Sequence, residues 1–341
     1  MTPSERWVAD PSIGWRILLT ATLPRPPQPD VVTVQLEALA TSQGWPPPPA
    51  VRAAPSVDDL RRSLVAPDPA PLLVGICGND LVLSAHHGAA DGLALLQALE
   101  QLGLATVRST ARGVGDRPAA HGVVGTVARR LREAALHPPA TITPAHPGEG
   151  PGGGDVMADV EVEGSFRTAA LVHAAVRAIE QHEAGRGRRA HRVAVAVGAS
   201  RDPEPGDDSI ADRSALLRLL DVERLDLLGI ERALREAQVE TPPVAARRRP
   251  WTPAVERATT TGMRMLARRL GSTLLVSHLG EVSAPHVDRL SFHPVTAGGT
   301  GISLGAVGHR GRTVLTLRAR AADWDADGLE RLLEAVGGRL A

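Results

Sequence analysis

The chain has 341 residues, long enough to bury two cores of ordinary size, and its hydrophobic fraction of 43% is that of a globular protein. Basic and acidic residues balance at 38 each, so no global field draws it onto nucleic acid or anionic lipid. A single cysteine, Cys77, excludes an intrachain disulfide and any multi-cysteine metal site, and its apolar surroundings predict a buried small hydrophobe.

The elements follow in chain order. Gly14 to Leu23 reads as a strand that Pro24-Arg25-Pro26-Pro27 breaks. Val31 to Ser42 has helical spacing through Val34, Leu36 and Leu39, and Ser56 stands as an N-cap before Val57. Leu72 to Cys77 and Leu81 to Ala85 form a hairpin around Gly78-Asn79-Asp80. The return strand delivers His86 and His87. Asp91-Gly92 then opens a helix whose apolar face is Leu95, Leu96, Leu99 and Leu102. Val123 to Leu136 is predicted helical.

A stretch rich in proline and glycine over 138–155 reads as a linker between an N-terminal lobe (1–137) and a C-terminal lobe (156–341). In the second lobe Val156 to Val162 is a strand and Phe166 to His182 a helix. Val193 to Val197 is a strand ending at Gly198-Ala199-Ser200-Arg201. Leu216 to Ala237 and Val255 to Leu270 are predicted helices. Thr273 to Val276 is a strand running into Ser277-His278-Leu279-Gly280. Ile302 to Val307 and Val314 to Leu317 pair around His309-Arg310-Gly311, and Asp325 to Leu340 closes the chain as a helix. Strands and helices intermix in both halves, which predicts two α/β lobes.

The segment that carries chemistry is His86-His87-Gly88-Ala89-Ala90-Asp91-Gly92. A neutral imidazole can take a proton from an alcohol or amine near pH 7, and a strand end holds it rigidly. Asp91 can cap the following helix or pair with an arginine. Gly92 lacks a Cβ, so its N–H at a helix N-terminus can approach a substrate carbonyl. Adjacent strand residues face opposite ways, so His86 and His87 make poor joint metal ligands, and no metal is expected. The competing reading of His87 is a core histidine bonded to a backbone carbonyl. The remaining histidines, His293 and His309 among them, are placed in loops or on helix faces and given no role.

Those residues resemble the HHxxxDG motif of the condensation-domain superfamily, which includes chloramphenicol acetyltransferase-like enzymes. The flanking strand and leucine-rich helix, the Val195-Gly198-Arg201 region, Ser277-His278-Leu279-Gly280 and the last hairpin and helix keep the family's order. The resemblance implies two chloramphenicol acetyltransferase-like lobes in a V with a tunnel between them. It implies His87 as the catalytic base, Gly92 as the donor to the reacting carbonyl, and His86 and Asp91 as support, with Arg201 the candidate partner of Asp91. Ser277 and His278 would line the tunnel, although Ser277 also reads as an ordinary strand-end serine, and His278 stands where the family has asparagine. The chain is short for the family and lacks the Asp-Phe-Gly-Trp signature of the plant branch.

The activity so implied is acyl transfer from a thioester, on coenzyme A or a phosphopantetheinyl carrier protein, to a hydroxyl or amine. No permanently bound cofactor is implied. A non-catalytic carrier-docking module, or cyclisation or epimerisation of a tethered substrate, stays open beside it. Arg186, Arg188, Arg189 and Arg192, with Arg247, Arg248 and Arg249, read either as solvated surface or as a landing site for phosphates or an acidic carrier. With no uninterrupted apolar run of roughly 18 residues and no signal pattern, the cytoplasm is expected, and since one chain can form both lobes, a monomer is the default expectation.

Overall fold

Two mixed sheets, each with helices against it, organise the computed structural model, which describes residues 15–115, 117, 132–133, 136, 138–145, 154–202, 206–240, 271–296 and 301–341. The first sheet has the order β11-β1-β4-β3-β2: β1 Arg16–Thr22, β2 Arg52–Ala53, β3 Leu72–Cys77, β4 Asp80–His86 and β11 Arg289–His293. Side chains alternate along β1, so Ile17, Leu19 and Ala21 enter one core and Leu18 the other. Helices α1 (Pro29–Ser42) and α3 (Gly92–Gln101) supply the first core, and α2 (Val57–Val65) the second. Ser56 caps α2, accepting the Asp59 N–H at 3.1 Å. Cys77 pairs with Asp80, leaving a two-residue turn in which Gly78 takes φ +58°. Cys77 is half-buried at the strand end, not enclosed.

The second sheet runs β6-β13-β12-β10-β7-β8-β9. Its strands are β6 Asp155–Glu163, β7 Val195–Ser200, β8 Ser214–Leu219, β9 Val239–Glu240, β10 Leu274–Ser283, β12 Ile302–His309 and β13 Arg312–Arg320, with β5 Arg108–Ser109 pairing to β10. Its core is filled from α4 (Thr168–Ala184), α5 (Leu227–Glu236) and α6 (Ala326–Gly337). The parallel pairs β7–β10 and β10–β12 lie at its centre.

Some elements differ from expectation. Leu216 to Ala237 is not one helix: its first residues form β8, Val222–Arg224 makes one 3₁₀ turn, and α-helix begins at Leu227. The run Ser214-Ala215-Leu216-Leu217-Arg218-Leu219 alternates in burial, which is a strand's period. The boundary between the lobes is also crossed. β11, from the C-terminal half, pairs antiparallel with β1 in the first sheet. With it His293 lies buried in a strand rather than a loop, and His309 ends β12, its ring nitrogens facing the Val282 and Val287 carbonyls. Helix 255–270, most of helix 123–136, residues 146–153 of the linker and Arg247 to Arg249 fall outside the described residues. Among the described residues no helix is long and apolar enough to cross a membrane.

Buried arginines join the two sheets. The Arg318 guanidinium, 0% exposed, donates to Asp155 at 2.7 Å and to the Arg16 carbonyl at 2.6 Å. Arg61 donates from α2 to Asp159 of β6 at 2.9 Å, to Thr20 at 3.2 Å and to Ser291 at 3.1 Å. Arg16 lends the seam only its carbonyl; its guanidinium stays in the first lobe, donating to Ser84 and to the Asp68 and Ala70 carbonyls, and burial draws its pKa down to about 10. Such pairs add little net stability over apolar residues, but removing one partner strands the other charge. Arg318→Ala is therefore expected to destabilise the fold by about 3–5 kcal/mol in urea unfolding. A loss under about 1 kcal/mol would show that this seam carries no buried charge coupling.

Candidate active site

The loop between β4 and α3 is closed by its own backbone. The His86 carbonyl accepts the Ala89 N–H at 2.7 Å and the Ala90 N–H at 3.2 Å. The His86 N–H bonds to Pro71 and the His87 N–H to the Trp15 carbonyl, so both histidines are held to the sheet. Their rings do different work. His86 Nδ1 accepts the Gly88 N–H at 3.2 Å, and burial, followed by the charges of Arg16 and His87, lowers its pKa. His86 thus serves the loop as a neutral acceptor. His87 Nδ1 lies 3.3 Å from the Ala90 carbonyl, an acceptor only, so Nδ1 carries the hydrogen and Nε2 holds the lone pair.

Asp91 is 4% exposed and caps α3, its Oδ1 accepting the Ala94 N–H at 2.9 Å. Its other oxygen crosses to the second lobe, accepting the Ser200 hydroxyl at 2.8 Å and the Arg213 N–H at 3.3 Å. The expected partner Arg201 is a correction. Its side chain is exposed, and among the described residues no bond joins it to Asp91. Alternation on β7 decides this: the residue turned toward Asp91 is Ser200. Arg201 contributes only its N–H, to the Arg213 carbonyl at 2.8 Å.

Gly92 begins α3, and among the described residues no acceptor takes its N–H. A Cβ there would stand 2.6 Å from Leu279 and 2.9 Å from Phe292, so the missing side chain lets β10 and β11 close on the helix start. Ser277 lies beside Gly198 in the parallel pair β7–β10, where a Cβ on Gly198 would meet its Oγ at 3.2 Å. His278 takes the other side of β10 from Leu279, with Nδ1 3.2 Å from Thr168 Oγ1 at the start of α4. Desolvation there pushes its pKa down to about 4, so it is neutral at physiological pH. The structure thus brings His87, Asp91 and Gly92 together with Leu279, and sends His278 to the α4 side. Arg186, Arg188, Arg189 and Arg192 are exposed near the α4 C-terminus, where positive charge suits the helix dipole.

Ser200, Arg213 and Phe292 were not singled out from sequence. Ser200 could have been found from the parity of its strand; Arg213 acts through backbone, which leaves no residue-type signal.

No family model matches the sequence, and no curated protein matches it. Solved structures do. The first condensation domain of the calcium-dependent antibiotic synthetase, in complex with substrate analogue 3a, is 14% identical with a TM-score of 0.59, covering 99% of this chain and 94% of that one. A variant starter condensation domain of rhizomide synthetase, in complex with C8-CoA and Leu-SNAC, is 12% identical with a TM-score of 0.57, covering 99% and 93%. The epimerization domain from the third module of tyrocidine synthetase B is 10% identical with a TM-score of 0.53, covering 95% and 90%. The chain has the condensation-domain fold.

Because Asp91 both caps α3 and accepts two donors from the second lobe, Asp91→Ala is expected to cost about 2–4 kcal/mol in urea unfolding. A cost near 1 kcal/mol would reduce its role to capping alone.

Proposed function

We propose that the protein is an acyltransferase of the condensation type. His87 Nε2 accepts the proton of an acceptor hydroxyl or amine as that atom attacks a thioester carbonyl. The oxyanion forms against the Gly92 N–H, aided by the positive end of α3. Collapse breaks the carbon–sulfur bond, forms an ester or amide, and returns the proton from Nε2 to the departing thiolate. The observation that carries this reading is the pairing of two groups. The His87 ring has its Nδ1–H on the Ala90 carbonyl, and among the described residues no donor reaches its Nε2 and no acceptor takes the Gly92 N–H at the first turn of α3.

The donor is an acyl group on coenzyme A or on a phosphopantetheinyl carrier protein, and the protein holds no cofactor of its own. A donor and acceptor would meet in a tunnel between the lobes, with Ser277 on the wall that carries Leu279. The reaction is placed in the cytoplasm, with a single chain supplying both lobes. The likeness to an epimerization domain keeps a second reading in view, in which the same base exchanges a carbon-bound proton of a tethered substrate.

Thiol release from octanoyl-coenzyme A in the presence of amine and alcohol acceptors measures the reaction. His87→Ala is expected to lower turnover about 10²–10⁴-fold while the thermal unfolding midpoint stays put. Product formation by His87→Ala at the wild-type rate would remove the base. Binding of an acylated carrier without thiol release would mark a docking module instead.

A further inference from the structure

The geometry points to Asp212 as a carboxylate that positions His87, supplied by the second lobe. This assignment deepens the acyl-transfer function proposed above and rests on it for its catalytic meaning. Asp212 Oδ1 lies 4.0 Å from His87 Nδ1, the ring nitrogen turned away from the reacting side. That is ion-pair range for a protonated imidazole.

The loop that carries Asp212 is docked onto the first lobe at several points. Ile210, 5% exposed, sits in the core of the first sheet, and its N–H donates to the side-chain oxygen of Gln43, just past the end of α1, at 2.9 Å. Gln97 of α3 donates to the Asp208 carbonyl at 2.6 Å. Arg213 braces the loop internally, donating to Asp207 at 2.9 Å and to the Ser209 carbonyl at 2.8 Å, and its own N–H reaches Asp91. Asp212 itself is fixed by Ser214, whose N–H donates to Oδ1 at 2.9 Å and whose hydroxyl donates to the same atom. One loop thus places a carboxylate beside the ring and, one residue on, a donor beside Asp91.

The chemical consequence follows from charge. As Nε2 takes the acceptor's proton the ring becomes imidazolium, with its Nδ1–H facing the Ala90 carbonyl and the Asp212 carboxylate. The carboxylate and the Ala90 carbonyl together face the Nδ1–H edge, which holds that tautomer and leaves Nε2 to take the acceptor's proton. When Nε2 gives the proton to the thiolate, the ring returns to the neutral tautomer. Asp212 makes and breaks no bond in the cycle.

Asp212→Asn tests this in the full chain, because asparagine keeps an oxygen for Ser214 and removes only the charge. With octanoyl-coenzyme A as donor and a leucyl N-acetylcysteamine thioester as acceptor, kcat is expected to fall about tenfold or more with KM unchanged. Added to His87→Ala, the same substitution should cost nothing further, since its effect passes through the ring. Nitrogen-15 spectra of the His87 ring should show Nδ1–H in the wild type and a shift toward Nε2–H in Asp212→Asn. An unchanged kcat with an unchanged ring spectrum, or an equal further loss on top of His87→Ala, would overturn the assignment. The two claims separate cleanly. A tautomer shift in a protein that transfers no acyl group keeps the pairing and refutes the transfer function. Transfer indifferent to Asp212→Asn does the reverse.

Discussion

The site depends on one buried carboxylate with two jobs. Asp91 ends the loop that carries His87 and begins the helix that carries the Gly92 N–H, and its second oxygen is held by Ser200 and Arg213 of the other lobe. A buried carboxylate must have donors, and here they come from both lobes. The same atoms therefore set the start of α3 and the placing of the second lobe against it. Gly92 completes the arrangement. With any side chain larger than hydrogen, Leu279 and Phe292 could not approach the helix start as they do.

Away from the site the lobes are joined by a different device. Arg61 and Arg318 are almost fully buried between the sheets, Arg61 reaching Asp159 and Arg318 reaching Asp155 and the Arg16 carbonyl. Charges so placed are a weak source of net stability but a strict condition on geometry, because each strand must present its partner in register. β11 crosses into the first sheet beside this seam, so Ser291 meets Arg61 while Leu290 and Phe292 enter the apolar core. A tether of hydrogen-bonded strand and a tether of buried charge thus act together. The Asp212 loop adds a third contact across the lobes, beside the His87 ring.

Much of this was legible in the sequence where the signals are local. The hairpin before His86, the Asp91 cap and the closing helix each follow from residue spacing and turn chemistry that tertiary structure did not override. The misread parts depended on parity and on distant partners. Short apolar runs fit both a helix and a strand, and β8 fell to the wrong one. β11 carries arginine, serine and histidine on the face that meets the seam, so it lacked the apolar pattern of a buried strand. Arg201 is named through the resemblance, in which an arginine pairs with the carboxylate, whereas this strand turns Ser200 inward to Asp91. Asp212 is a short acidic residue in a polar loop, and only folding brings it to His87.

The central claim is that a reacting carbonyl sits between the His87 ring and the first turn of α3. A crystal structure with a ketone analogue of an acyl-pantetheine, in which methylene replaces the thioester sulfur, addresses it directly. The account predicts the carbonyl oxygen about 3 Å from the Gly92 N–H and the carbonyl carbon on the Nε2 side of the ring. An analogue bound elsewhere, or a His87 ring turned so that Nε2 meets the Ala90 carbonyl, would contradict it.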